Sequence, residues 1–153
     1  MLPKAMTVPD THEVRKRLEL TSTLADLGRV APWVGELAAL YGFSDDARFA
    51  IELCLEEALS NIVRHGYAGE AGHALTVDFA RVEDKALFVV EDNAPAFEPL
   101  QPGEAASANL NTMTPGGQGL RLLYRFANSV EYERLEDGNR LTLGFVVETG
   151  NRE

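Results

Sequence analysis

Apolar residues recur along this chain with two different periods, and the changes between them mark its elements. Leu24, Leu27, Val30, Val34, Leu37, Ala38 and Leu40 follow a helical spacing, which predicts a helix over Leu24–Tyr41 that Gly42 terminates. A second helix is predicted over residues 46–65, DARFAIELCLEEALSNIVRH, with Ser44 or Asp45 as its cap and Gly66 at its end. Leu75, Val77 and Phe79 then alternate with Thr76 and Asp78, the mark of a half-buried strand over Leu75–Val82. Glu83-Asp84-Lys85 turns the chain into a more apolar strand, Ala86–Asp92. His12–Leu20 reads as a first strand whose charges (Glu13, Arg15, Lys16, Arg17, Glu19) suit a sheet edge. From Asn93 to Gln118 periodicity gives way to Pro and Gly, and helical spacing returns at Gly119–Ala127. Two closing strands, Ser129–Leu135 and Arg140–Glu148, meet at the hairpin signal Asp137-Gly138.

The resulting order, β-α-α-β-β-loop-α-β-β, lacks the alternation of a doubly wound parallel fold. It predicts an α+β two-layer sandwich, with helices on one face of a mixed, mainly antiparallel sheet. Residues 12–149 make one domain, with 1–11 a flexible N-terminal segment and 150–153 a tail.

The helix at 46–65 carries an anomaly. Wound at about 100° per residue around Cys54, it places Ala47, Ala50, Ile51, Leu55, Ala58 and Ile62 on its inner arc. Glu57, Asn61 and His65 share that arc, while Glu52 and Glu56 point away. Burying a carboxylate or an amide without a partner costs about 2 kcal/mol or more. Polar groups are therefore expected opposite them.

Composition narrows the function. The 153 residues suit one domain with a real core, and 45% hydrophobic with 25% charged content is ordinary for a globular protein. No apolar run approaches the ~20 residues of a membrane span, and the N-terminus has no secretory h-region. The single cysteine, Cys54, excludes an intrachain disulfide and fits a cytoplasmic setting. A net charge of −10 argues against nucleic acid as a partner. It leaves nucleotides open, because backbone N–H groups and a metal ion can hold phosphates.

Three clusters carry candidate chemistry. Glu57 and Asn61 are four residues apart and so address one small volume. A carboxylate there can accept a proton, and an amide oxygen is a hard ligand suited to Mg²⁺; the pair could equally tie helix to sheet. Asp92-Asn93-Ala94-Pro95-Ala96-Phe97 ends the apolar strand with an acceptor that could meet the amino group of a base, or forms an ordinary turn. Pro115-Gly116-Gly117-Gln118-Gly119-Leu120 opens a helix with glycines that would let a polyphosphate reach backbone N–H groups. It is neither a P-loop nor a dinucleotide fingerprint. His12, His65 and His73 have no metal-ligand spacing, and Ser60 has no visible base.

In order and spacing the three clusters resemble the histidine-kinase-like (GHKL) ATPase superfamily, and within it the anti-sigma-factor serine/threonine kinases. EEALSNIVRHGY is similar to that family's N-box, VEDNAPAFEP to its G1 box and GGQGLRLL to its G2 box. The likeness covers residues 14 to 148. It implies a histidine-kinase-like ATPase fold, ATP and Mg²⁺ as cofactors, and Glu57 as general base for a protein hydroxyl. It further implies Mg²⁺ on Asn61, Asp92 as acceptor for the adenine amino group, and Gly117 and Gly119 along the phosphates beneath a lid at 98–116. His65, Ala94, Ala96, Gly116, Leu120 and Thr142 complete the implied nucleotide site, Thr142 as support for adenine. Ala94 stands where the family usually has glycine.

The implied partners are a sigma factor and an anti-anti-sigma protein phosphorylated on Ser or Thr. A homodimer is compatible with the family, with the edge-like first strand and Trp33 as candidate contacts. Two other functions fit the same motifs: a module that sequesters its partner without phosphorylating it, and a detached histidine-kinase-type ATPase domain.

Overall fold

In the computed structural model, which describes residues 15–95 and 115–147 (for 115–120 the backbone only), the chain begins with strand β1 (Arg15–Thr21). Helices α1 (Leu24–Leu27), α2 (Val30–Tyr41) and α3 (Asp45–Asn61) follow, and a π-helical turn (Ile62–Gly66) extends α3. Strands β2 (Ala74–Val82) and β3 (Lys85–Asp92) precede helix α4 (Pro115–Phe126), and β4 (Ser129–Leu135) and β5 (Gly138–Val146) close the domain. The sequence segments 1–11 and 150–153, His12 and most of the 98–116 segment lie outside the described residues.

The sheet runs β1-β2-β3-β5-β4, and every described pairing is antiparallel, in line with the expected mainly antiparallel sheet and without a parallel pair among the described residues. The charged first strand is an edge, as its composition predicts. Successive side chains alternate between faces, so the register lines residues up in rows across the strands. One row on the helix side is Phe79, Phe88, Leu143 and Val130. The next is Leu18, Val77, Val90, Leu141 and Tyr132, and the row at the sheet end is Leu20, Leu75, Asp92, Asn139 and Arg134. The apolar members of these rows join Val30, Val34, Leu37, Ile51, Leu55 and Leu59 in one core. Phe88 lies at its centre, with ring centroids 6.1 Å from Trp33, 5.3 Å from Phe79 and 6.0 Å from Phe145. Burying each such ring contributes about 1.5–3 kcal/mol. The opposite face carries ion pairs, Arg17 with Asp78 and Arg140 with Glu91 and Glu133.

Four local differences from the sequence-based expectation have physical causes. The helix expected over Leu24–Tyr41 is two helices, because a continuous one would press the Pro32 ring against the Gly28 carbonyl. Starting α2 at Val30 puts Pro32 in the first turn, where its missing N–H costs nothing. Helix α4 begins at Pro115 instead of Gly119, because a proline is already preorganised for the first helical position. The final hairpin turns at Glu136-Asp137, and Gly138 is already paired with Leu135. The helix at 46–65 keeps α-geometry only to Asn61, after which the Tyr67 N–H donates to the Ile62 carbonyl at 2.9 Å, a π-type bond. Gly42, at φ 74°, ends α2, and Ser44 caps α3 by accepting from the Ala47 N–H at 3.1 Å.

Candidate functional site

The polar end of the sheet is built around Asp92, which is 5% exposed although it is the last residue of an apolar strand. Its Oδ1 accepts the Ala94 N–H at 2.8 Å, folding the chain back after β3, and the Asn139 Nδ2–H at 2.8 Å from β5. No described residue donates to Oδ2. Burial pushes the Asp92 carboxyl above its usual range, and the Asn139 and Ala94 donors and the Arg134 charge oppose that shift. Gly138 has to be glycine here, because a Cβ would lie 1.9 Å from the Asp92 carbonyl oxygen.

Tyr67 ties the end of the α3 segment to this corner. Its hydroxyl donates to the Ala74 carbonyl at 2.9 Å and accepts the Asn93 N–H at 2.8 Å. Its ring is buried and stacks on His73 at 4.3 Å. Burial raises the Tyr67 hydroxyl pKa, with the Asp92 charge adding to the shift.

On α3, Glu57 is half-buried, Asn61 is buried and Glu56 is exposed, which is the separation expected from helical winding. Cys54, at the centre of the inner arc, is fully buried. Its thiol is pushed up to about 12 by burial, with the nearby Glu57 charge adding to it. His65 departs from the expected inner arc and is exposed, since the π-helical turn rotates each residue by less than an α-helix does.

Two contacts fix how α3 and α4 run. Phe49 meets Phe126 with ring centroids 6.3 Å apart, and Cys54 lies with Sγ 4.0 Å from the Leu122 carbonyl. Moving forward on α3 is therefore moving backward on α4. Glu57 and Asn61 thus lie toward the Gly-rich start of α4, the backbone of Gly116, Gly117, Gly119 and Leu120. The side chain of Leu120 and all of Ala96 lie outside the described residues.

Ala94 is 1% exposed and packs in the hydrophobic core, without a positive φ, so this backbone does not demand the glycine usual in the G1 box. Thr142 is not brought to Asp92. It pairs with Val89 on the face opposite the helices, whereas Asp92 pairs with Asn139. The residue of β5 that reaches Asp92 is Asn139, which sequence reasoning missed along with Tyr67, Tyr132 and Arg134. Placing the hairpin turn one residue earlier would have set Asn139 opposite Arg134.

Among the described residues no three His, Cys, Asp or Glu side chains cluster as a metal cage. The Asn61 amide oxygen is nonetheless a suitable donor for Mg²⁺, which commonly takes one or two protein groups besides phosphate oxygens and water. No helix among the described residues is long and apolar enough to cross a membrane.

The histidine kinase-like ATPase domain family matches residues 20–145. The chain is 31% identical over 127 residues to the serine/threonine-protein kinase BtrW of Bordetella bronchiseptica, across 82% of this chain and 89% of that protein. It is 31% identical over 114 residues to the serine-protein kinase RsbW of Listeria monocytogenes, across 69% of each. A crystal structure of the RsbU and RsbW domains of a Mycobacterium tuberculosis protein superposes with a TM-score of 0.66 at 18% identity. That likeness covers 91% of this chain and 34% of the other, and it speaks to the fold. The chain belongs to the histidine kinase-like (GHKL) ATPase family and, within it, to the anti-sigma-factor serine/threonine-protein kinases.

Proposed function

We propose that this kinase holds ATP with the adenine at Asp92 and the phosphates at the start of α4. It transfers the γ-phosphoryl group to a Ser or Thr hydroxyl of an anti-anti-sigma protein, and in a second state it binds a sigma factor, acting in the cytoplasm. The observation that carries this reading is the Asp92 carboxylate: buried at a strand end, with Oδ1 engaged by the protein and Oδ2 without a donor among the described residues. Such an oxygen is an acceptor for an exocyclic amino group.

The remaining residues divide the chemistry. Glu57, half-buried on the α3 face that carries Cys54, would orient the acceptor hydroxyl and take its proton. The backbone N–H groups at the start of α4 face no intrahelical acceptor and suit phosphate oxygens. Asn61 would hold Mg²⁺, which supplies charge neutralisation on the phosphates during in-line transfer.

The test is label transfer from γ-labelled ATP with Mg²⁺ to candidate anti-anti-sigma proteins, using wild type and Glu57→Gln. Transfer is expected from wild type, with a fall of about 10²–10⁴-fold in Glu57→Gln and unchanged ATP affinity. Undiminished transfer by Glu57→Gln would remove the general-base role. ATP binding without transfer to any partner would favour a sequestering module.

A further inference from the structure

The end row of the sheet holds more polar machinery than one acceptor needs. Asn139 is 3% exposed, and each end of its amide has a single kind of neighbour. Nδ2 faces oxygens only: Asp92 Oδ1 at 2.8 Å, the Ala94 carbonyl at 3.4 Å and the Pro95 carbonyl at 3.5 Å. Oδ1 faces donors, the Tyr132 hydroxyl and Arg134 Nη1 at 3.4 Å. The reversed amide would set an N–H against a guanidinium and a carbonyl against a carboxylate, so one orientation is held. Arg134 Nη1 also donates to the Gly138 carbonyl at 2.8 Å and the Ala94 carbonyl at 3.2 Å, which fixes it in turn.

This arrangement has a chemical consequence at Asp92. Two donors on Oδ1 favour the ionised carboxylate, while burial favours the neutral acid. The two forms select different bases. An ionised Oδ2 only accepts, so it suits the 6-amino group of a purine and repels a 6-carbonyl in the same pose. A protonated carboxyl has an O–H to give and tolerates the 6-carbonyl.

We propose that Asn139, oriented by Tyr132 and Arg134, sets the preference of the site for 6-amino over 6-oxo purine nucleotides by holding Asp92 as an acceptor. This rests on the placement of the base at Asp92 given above. Asn139 is a positioning residue, acting through Asp92 and not through the base.

The test compares dissociation constants for ATP and ITP, which differ at purine position 6, in wild type, Asn139→Leu, Asn139→Thr and Tyr132→Phe. Wild type prefers ATP. Asn139→Leu, which keeps the branched heavy-atom skeleton but is bulkier and has no donor, lowers the ITP-to-ATP ratio of dissociation constants by about tenfold or more. Asn139→Thr, whose hydroxyl can still donate and whose branching suits a strand, keeps a larger part of the preference. Tyr132→Phe, a conservative change on the edge strand β4, lowers the ratio a few-fold and keeps the inference open to test should Asn139→Leu not fold. An unchanged ratio in a folded Asn139→Leu, or in Tyr132→Phe if Leu does not fold, overturns the inference. So does an equal weakening of both nucleotides, the mark of a merely structural role; either result leaves the base at Asp92. A wild type that binds neither nucleotide overturns both readings.

Discussion

Two rows on the helix side of the same sheet, Phe79–Phe88–Leu143 and Leu75–Asp92–Asn139–Arg134, are built on the same strands and differ in what holds them. The first is closed by ring and methyl packing beneath α2 and α3, and any volume it loses becomes a cavity. The second is nearly as buried at its centre, yet its polar atoms are matched donor to acceptor, with one carboxylate oxygen that no described residue donates to. A buried polar row of this kind contributes little net stability and depends on complete pairing. The apolar row makes the fold, and the polar row holds the carboxylate proposed above to meet a base.

The sharpest test of that contrast is Phe88→Ala. It is expected to cost about 3–5 kcal/mol in chemical denaturation, while the folded fraction keeps its nucleotide preference. A loss of a few tenths would break the comparison. Gly138→Ala comes next, since its Cβ would lie 1.9 Å from the Asp92 carbonyl oxygen and must push β3 and β5 apart. Thermal unfolding should show a loss of about 1–3 kcal/mol, accompanied by weaker ATP binding, because this glycine adjoins the polar row. Ser44→Ala removes the cap of α3 far from that row and should cost about 1 kcal/mol with ATP affinity intact.

The smallest expected effect concerns Cys54. Its folded value of about 12 lies above its ordinary 9.0, so the neutral thiol is what the fold prefers. Its contribution to stability is full below pH 9.0, and it declines as pH rises from there toward about 12. Alkylation by iodoacetamide at pH 8 should accordingly require unfolding, and rapid modification of the native protein would contradict the burial.

Much of the fold is legible in local pattern. Period-2 alternation locates β2, the apolar run after Glu83-Asp84-Lys85 locates β3, the charges of β1 mark an edge, and Gly42 and Ser44 bound the helices on either side. The separation of Glu56 from Glu57 is also a matter of winding alone. What pattern does not carry is register and helix detail. Thr142 and Asn139 are three residues apart on β5 and so lie on opposite faces, but only the pairing with β3 sets Asn139 level with Asp92. The exposure of His65 follows from a π-type bond between Ile62 and Tyr67 that no helical wheel contains. Tyr67 closes the EEALSNIVRHGY motif, and its hydroxyl has a role because the Asn93 N–H arrives from the segment that follows β3.

The central claim, that the Asp92 carboxylate is where a base is read and not a device for stability, is most directly tested with Asp92→Asn. An asparagine here can still accept from Ala94 and Asn139 through its oxygen, while its N–H₂ replaces the acceptor Oδ2. Because burial holds the folded Asp92 pKa above its ordinary value, the charged form costs stability at neutral pH and protonation relieves that cost. The unliganded variant should be at least as stable as wild type at pH 7, with its advantage shrinking as pH falls through the carboxylate range. Titration calorimetry on the same sample should show ATP binding weakened by about 10- to 100-fold. A destabilised protein that binds ATP as tightly as wild type would contradict the account.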